Sequence, residues 1–361
     1  MRRVAISSVS TSRFTKASER SIFELACDPC IEIVRDFGKD IDAVMLSTCA
    51  TEQYSSTIVS EMLGLKPKVS QRVDNLCNSG TNAIASAYAM ISAGLCDSAL
   101  VVGAEKAASH GNRLTWDVTR GSFNFPVHWA AMFAKAHMRR YGTTEEQMAQ
   151  VSVNNHKNAA KNPNALFQKP VNVREVMESK KIADPIKLLD CSAPCDGASA
   201  ILLLGEEKAK KTENPVWING IGQQTNGASF ANTDDLTKLD TARCAADEAY
   251  KMAGIKPADV DIAELHDAFT ILEILAYEDL DFAEKGKGGR FVSNRDIAIN
   301  TRGGILGCGH PVGATGVSQA AEIALQLAGG AGRRQVKNCT TGLVHNLAAA
   351  GSSATVMVLG V

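Results

Sequence analysis

Apolar residues recur along the first hundred positions in two periods that alternate. Val4 to Val9 and Ala43 to Ser47 read as strands, Ser21 to Phe37 carries its apolar residues at helical spacing, and Ala99 to Gly103 is a further apolar strand. Between the last two, the stretch Val73 to Gly94 (VDNLCNSGTNAIASAYAMISAG) ends an extended run at Asn75 and Leu76. It then places Ala83, Ile84, Ala87, Tyr88 and Ile91 on one helix face. Cys77 therefore falls at a helix N-terminus, where free N–H groups and the positive dipole end favour a thiolate. Such a position lowers a thiol pKa from about 8.5 toward neutrality. Gly80 lets backbone and ligand approach without a Cβ between them.

A second series begins at Val216 and repeats the first. Phe37-Gly38 finds Ala253-Gly254, and Asp40-Ile41-Asp42-Ala43-Val44 finds Asp259-Val260-Asp261-Ile262-Ala263. Cys77-x-x-Gly80 meets His310-x-x-Gly313, each opening an alanine-rich helix that ends in glycine, at Gly94 and Gly329. The closing runs also match, Ala200 to Gly205 with Ala354 to Gly360. From Cys77 to Ile201 is 124 residues, whereas from His310 to Thr355 is 45, so the first copy carries an insertion. These readings give an α/β chain of two duplicated halves: 1–109 with 189–210, and 211–361. Residues 110–188 form an inserted loop domain of ligand-binding character. A pseudo-twofold relation between the halves brings the Cys77 and His310 helix starts together, a thiol and an imidazole sharing one cleft.

The chain has 361 residues, is 45% apolar and 21% charged, and has a net charge of -1, with no basic run that would suit nucleic acid. No apolar run approaches the ~20 residues of a membrane span, and MRRVAISSVS passes into a strand rather than a signal segment; the expectation is a cytoplasmic protein. Its ten cysteines then read as thiols. Cys27 and Cys30 form a C-x-x-C without a second pair and lie on a helical pattern, so they read as core thiols, as do Cys191 and Cys195. The glycines of Gly304 to Gly313 lack the spacing and acidic residue of a dinucleotide loop.

Four loops carry candidate chemistry: Cys77-Asn78-Ser79-Gly80, His266-Asp267-Ala268-Phe269, Gly309-His310-Pro311-Val312-Gly313 and Val344-His345-Asn346. Together with Asp196-Gly197-Ala198 they resemble the catalytic loops of thiolases over essentially the full chain. The match is nearest to the sterol-carrier-type enzymes and their archaeal relatives, which share the His-Asp-x-Phe loop and features of the insertion at Asn162-Pro163, Phe167-Gln168 and Leu188 to Cys191. The resemblance implies a five-layered αβαβα fold assembled as a homodimer or homotetramer. It implies an acyltransferase that uses acyl-CoA and CoA as substrates, without cofactor or metal, and condenses two acetyl-CoA to acetoacetyl-CoA or cleaves short 3-oxoacyl-CoA.

In the roles so implied, His310 takes the proton of Cys77, which becomes the acyl-enzyme. His266 and His310 hold the enolate oxygen, the N–H groups of Cys77 and Gly351 hold the tetrahedral oxyanion, and Ser229 contacts the pantetheine arm. The usual second cysteine is missing. His345 stands where the Cys-x-Gly loop is expected, Leu347 replaces a loop glycine, and position 268 is Ala. His345 is therefore the expected α-proton base, with Cys308 as substitute. Other readings are a sterol-carrier-type thiolase for longer acyl chains, a ketosynthase-like condensing enzyme built on Cys77, His266 and His310, and a scaffold. The scaffold would hand acetoacetyl-CoA, through a small CoA-loop-binding protein, to a hydroxymethylglutaryl-CoA synthase.

Overall fold

The computed structural model describes residues 2–106 and 125–361. Its strands are β1 (Val4–Thr11), β2 (Ala43–Ser47), β3 (Val69–Val73), β4 (Ser98–Lys106), β5 (Lys181–Ala183), β6 (Ile186–Lys187), β7 (Asp196–Gly205), β8 (Val216–Thr225), β9 (Ile262–Glu264), β10 (Ala298–Ile299), β11 (Thr341–Ala348) and β12 (Ser353–Gly360). Ten of them form one mixed sheet in the order β10-β9-β11-β12-β8-β1-β7-β4-β2-β3. From the centre outward the two sides are images of each other. The pairs β1–β7 and β8–β12 are antiparallel, as are β7–β4 and β12–β11, whereas β4–β2, β2–β3, β11–β9 and β9–β10 are parallel. Among the described residues the two half-sheets are hydrogen-bonded to each other through β1 and β8, where Ala5 pairs with Trp217 and Ile6 with Val216.

Three large apolar cores hold five layers together, the middle one enclosing the central helix layer. Helix Ile22–Phe37 packs on one side of the β1-β7-β4-β2-β3 half-sheet, burying Ile22, Ala26, Cys30 and Ile33 against Val44, Leu46, Leu100 and Leu202. Helices Ser79–Ser92 and Val312–Leu327 form the middle layer and share a core with residues of both half-sheets, among them Met45, Val101 and Ile201 from one and Ile262, Val344 and Met357 from the other. Helices Asp240–Ala253 and Thr270–Asp279 cover the far side. This is the αβαβα arrangement, and its physical cause is the near-continuous apolar content of strands such as β4 and β7, which are buried on both faces.

Local signals account for the element ends. Ser21 opens the first helix with a reciprocal capping box to Glu24, and Gly38 closes it at φ 96°. In the second half Gly254 closes helix Asp240–Ala253 at φ 70°. Cys27 and Cys30 lie inside the first helix, both buried and free, with the Cys30 thiol donating to the Ala26 carbonyl at 3.2 Å. Between β2 and the Cys77 helix lie helix Ser55–Met62 and strand β3, of which the sequence showed only the extended run before Asn75. That helix opens on Tyr54 at φ 61° with no side-chain cap, so no start signal marks it.

The described part of the inserted region holds helices Pro126–Tyr141, Glu145–Ala159 and Val173–Glu178 and the two-stranded β5–β6 hairpin, and adds no strand to the main sheet. Its expected start, the boundary between residues 109 and 110, lies outside the described residues. Among the described residues no helix is long and apolar enough to cross a membrane.

Candidate active site

The two middle helices cross at their N-termini through glycine. A Cβ on Gly80 would meet the Val317 nitrogen at 2.7 Å and Gly316 Cα at 3.0 Å, and one on Gly316 would meet the Thr81 nitrogen at 2.7 Å. Only hydrogen fits between the backbones, so the residues just before each helix converge. Cys77 Sγ and His310 Nε2 lie 3.1 Å apart. The ring of His266 stands edge-on to that of His310, with centroids 5.5 Å apart. Backbone N–H groups of Cys77 itself and of Ala349 point at the sulfur. Both flanking turns hold a non-glycine residue in the left-handed region, Leu76 at φ 49° and Ala349 at φ 51°, local strain that aims these groups inward.

Each histidine is fixed from behind. His310 N–H donates to the Ala193 carbonyl at 2.8 Å, and its ring Nδ1 lies 2.8 Å from Thr315 Oγ1. His266 follows β9, and Asn346 Nδ2 donates to its Nδ1 at 3.0 Å. Next in the loop, the Asp267 carboxylate accepts N–H from Ile305 at 2.6 Å and Leu306 at 3.1 Å and the Asn155 amide at 2.7 Å. It thus ties the His266 loop to the segment that leads into His310. Glu105 joins the halves in the same way, accepting N–H from Cys49 at 2.8 Å and Gly313 at 3.2 Å.

These groups open on a cavity of about 700 Å³. Its chemical floor is Cys77, His266 and His310, and its walls include Phe125, Val127, Trp129, Ile182, Leu188 and Leu272. The described part of the insertion therefore supplies much of the apolar wall. Cys49, Glu105, His128, Cys191 and Ser192 are among the remaining polar lining. Cys191 arrives beside the His266 loop, bridged to Phe269, with Ser192 N–H donating to the Ala268 carbonyl at 2.9 Å.

Burial decides the protonation of the pair. Desolvation pushes the Cys77 thiol up to about 12 despite the two N–H groups, which act in the opposite direction. Burial, and then the charge of Arg302, brings the His310 imidazole down to about 4. The resting state is thus thiol and neutral imidazole, not the thiolate that a helix start alone suggests. The helix dipole acts across one turn, whereas desolvation acts on the whole charge.

The remaining sequence candidates sit elsewhere. His345 lies within β11 and is fully buried. Along that strand Leu343 and Leu347 belong to the outer core and Val344 to the central one, so His345 faces outward from the site and Asn346 faces into it. The segment Val344 to Asn346, read from the sequence as a loop, thus belongs to a strand that continues to Ala348. In consequence Gly351 N–H is spent on the Ala348 carbonyl at 3.1 Å, and Ala349 occupies the place beside the sulfur. Cys308 donates to the Arg302 carbonyl at 2.9 Å and lines a separate cavity with Glu322 and Arg334. Ser229 caps a short turn, accepting Ala231 N–H at 3.3 Å, outside the lining of the catalytic cavity. Sequence reasoning passed over Ala349, Cys49, Ser192 and Asn346, and it placed Cys191 in the core, whereas Cys191 is half-buried and lines the cavity. Only Asn346 had a signal, its place beside His345 in a quoted motif.

Cys77 Sγ and the His266 and His310 ring nitrogens lie within 4.8 Å of one another, a spacing that three ligands of a metal ion could also adopt. The tautomers of the two rings separate these uses, since a ring nitrogen that carries hydrogen cannot ligate.

Residues 2–207 match the thiolase N-terminal domain and residues 222–361 the thiolase C-terminal domain-like family. The chain is 37% identical to an acetyl-CoA acetyltransferase of Methanothermobacter thermautotrophicus over 99% of both chains. It is 35% identical to sterol carrier protein 2 of Oryctolagus cuniculus over 82% of its own length and 59% of that protein's. Among solved structures it superposes on an Ltp2-ChsH2(DUF35) aldolase with a TM-score of 0.90 at 26% identity, over 99% of this chain and 97% of that one. Two domain matches that span nearly the whole chain, and a sulfur and imidazole met at the tips of two related helices, make this chain a member of the thiolase family of acyltransferases.

Proposed function

We propose that the cavity transfers an acetyl or other short acyl group between CoA thioesters through a covalent Cys77 intermediate. The observation that carries this reading is the 3.1 Å approach of His310 Nε2 to Cys77 Sγ under two backbone N–H groups. His310 takes the thiol proton as sulfur attacks the thioester carbonyl. The oxyanion that forms rests on the N–H groups of Cys77 and Ala349, the carbon–sulfur bond to CoA breaks, and the leaving CoA sulfur takes the proton back from His310. Because thiol and imidazole are neutral at rest, proton transfer accompanies attack rather than preceding it.

In the second half-reaction an acetyl-CoA loses an α-proton, and its enolate carbon attacks the acyl-enzyme. The carbon–carbon bond forms, the bond to Cys77 breaks, and 3-oxoacyl-CoA leaves; the reverse sequence is thiolysis. His266 presents a ring N–H to the enolate oxygen. We assign the α-proton to Cys191, which lines the cavity beside the His266 loop whereas neither His345 nor Cys308 does. Burial raises its thiol to about 12, so the thiolate that accepts the α-proton is the minor form, and the proton then passes to the Cys77 sulfur as the acyl bond breaks, which restores both groups.

The test is mass spectrometry of the intact chain after exposure to acetyl-CoA. A single acetyl adduct on Cys77, discharged by CoA, is expected. An adduct on Cys49 or Cys191 with none on Cys77 overturns the assignment.

A further inference from the structure

A chain of two side-chain amides, anchored on a backbone carbonyl, stands behind His266. Gln319 Nε2 donates to the His345 carbonyl at 3.2 Å, an acceptor that cannot turn into a donor. That bond forces Gln319 Oε1 toward Asn346, whose Nδ2 donates to it at 3.1 Å. The same Nδ2 has a second hydrogen, aimed at His266 Nδ1 at 3.0 Å, while Asn346 Oδ1 stands 3.2 Å from the Thr81 hydroxyl. All four groups are buried. Turning either amide over would set two N–H groups or two oxygens face to face without water to separate them.

We infer that Gln319 and Asn346 are positioning residues that lock His266 in the tautomer carrying hydrogen on Nε2, so that His266 serves the cavity only as a hydrogen-bond donor. His310 is held differently. Its Nδ1 meets the Thr315 hydroxyl, which also reaches the Pro311 carbonyl at 3.4 Å and can therefore accept from or donate to the ring. One histidine is a fixed donor and the other can exchange between base and donor. Two rings beside one sulfur thus take different duties because an amide stands behind one and a hydroxyl behind the other. The lock also removes the Nε2 lone pair that a metal ion would need, which closes the Cys77, His266 and His310 triangle to ligation. This inference rests on the acyl-transfer reading of the cavity for its catalytic consequence, but the tautomer itself does not.

The experiment uses the full chain labelled with ¹⁵N-histidine. There are seven histidines, and His266 is assigned by the signal missing from His266→Gln. Neutral His266 with hydrogen on Nε2 throughout pH 6 to 8 is expected; hydrogen on Nδ1, or a mixture, overturns the inference. In Asn346→Asp at pH 8.5 the carboxylate accepts from Nδ1, so hydrogen should leave Nε2. Acetyl-CoA α-proton exchange should then fall by about 10²-fold, as for loss of one oxyanion donor. Zn²⁺ should inhibit at a concentration at least about tenfold lower than for the unaltered chain, since three lone pairs now converge. An unmoved tautomer with unchanged exchange and unchanged Zn²⁺ inhibition overturns the inference. Should Asn346→Asp fail to fold, Gln319→Leu frees the Asn346 amide, and a mixed tautomer with reduced exchange is the expected result; a single Nε2–H tautomer there overturns the role of Gln319. If no acyl group reaches Cys77, the acyl-transfer reading fails while the tautomer result stands.

Discussion

Cys77 is kept as a thiol by its burial, and that makes the groups around it matter more than its place at a helix start. The same reasoning applies to the α-proton. A general acid or base must reach the substrate before its pKa matters. His345 fails on position, because odd and even residues of β11 face different cores. Cys191→Ala should therefore lower acetyl-CoA α-proton exchange by about 10²-fold or more while Cys77 still acylates, whereas His345→Leu should leave exchange within a few fold. Both are read by deuterium exchange in the methyl group. An exchange rate lost in His345→Leu and kept in Cys191→Ala would reverse the assignment. That Cys77 and His310 meet was legible in the sequence, since each precedes a glycine that opens an alanine-rich helix, and they lie 3.1 Å apart. The partner N–H was not, because it depends on how far β11 extends: Ala349 stands at the sulfur, whereas the Gly351 N–H is held by the Ala348 carbonyl.

At the scale of elements, the site exists because two helix starts cross with almost no separation. Gly316 sits where a methyl group would press on the Thr81 backbone and on Asn346 Oδ1 at 2.8 Å. Gly316→Ala should cost about 1–3 kcal/mol of stability through overpacking. It should also slow Cys77 acylation by parting the sulfur from His310 and by disturbing the Asn346 amide. Thermal melts and the acylation rate check this together. A variant with an unchanged melting temperature and an unchanged rate would show that the crossing has room to spare. Periodicity revealed both helices and their matching Cys-x-x-Gly and His-x-x-Gly openings. It gave no sign of Gly316 against Thr81, since a contact across 235 positions leaves no trace in local pattern.

Over the whole molecule, the buried titratable groups set opposing pH dependences. Burial depresses His310 to about 4 and His345 to about 3, and depresses His266 as well, the charges on His310, His345 and Arg302 adding to it. The unfolded chain binds those protons near pH 6.5. Their contribution to stability is therefore fully present above about pH 6.5 and is lost as pH falls through the folded values. Burial instead raises the carboxyls of Glu264, Asp267 and Glu273. Their contribution is present below about pH 4 and is lost as pH rises through their elevated folded values. The melting temperature should pass through a maximum between about pH 5 and 7, and His345→Leu should flatten the acid side. Scanning calorimetry across pH 4 to 9 checks both, and a melting temperature that climbs steadily to pH 9 would contradict the carboxyl part.

The duplicated plan, the alternation of strand and helix and the loops that hold Cys77, His266 and His310 were set by the sequence alone. Those features are local, or recur at a fixed separation, so periodicity and repetition expose them. Tertiary structure alone decided which backbone N–H faces the sulfur, that His345 turns away from the cavity, that the thiol is protonated at rest and which hydrogen His266 carries. Each of those depends on desolvation, strand length or an amide chain among groups far apart in the sequence, and such quantities come into being only when the layers close.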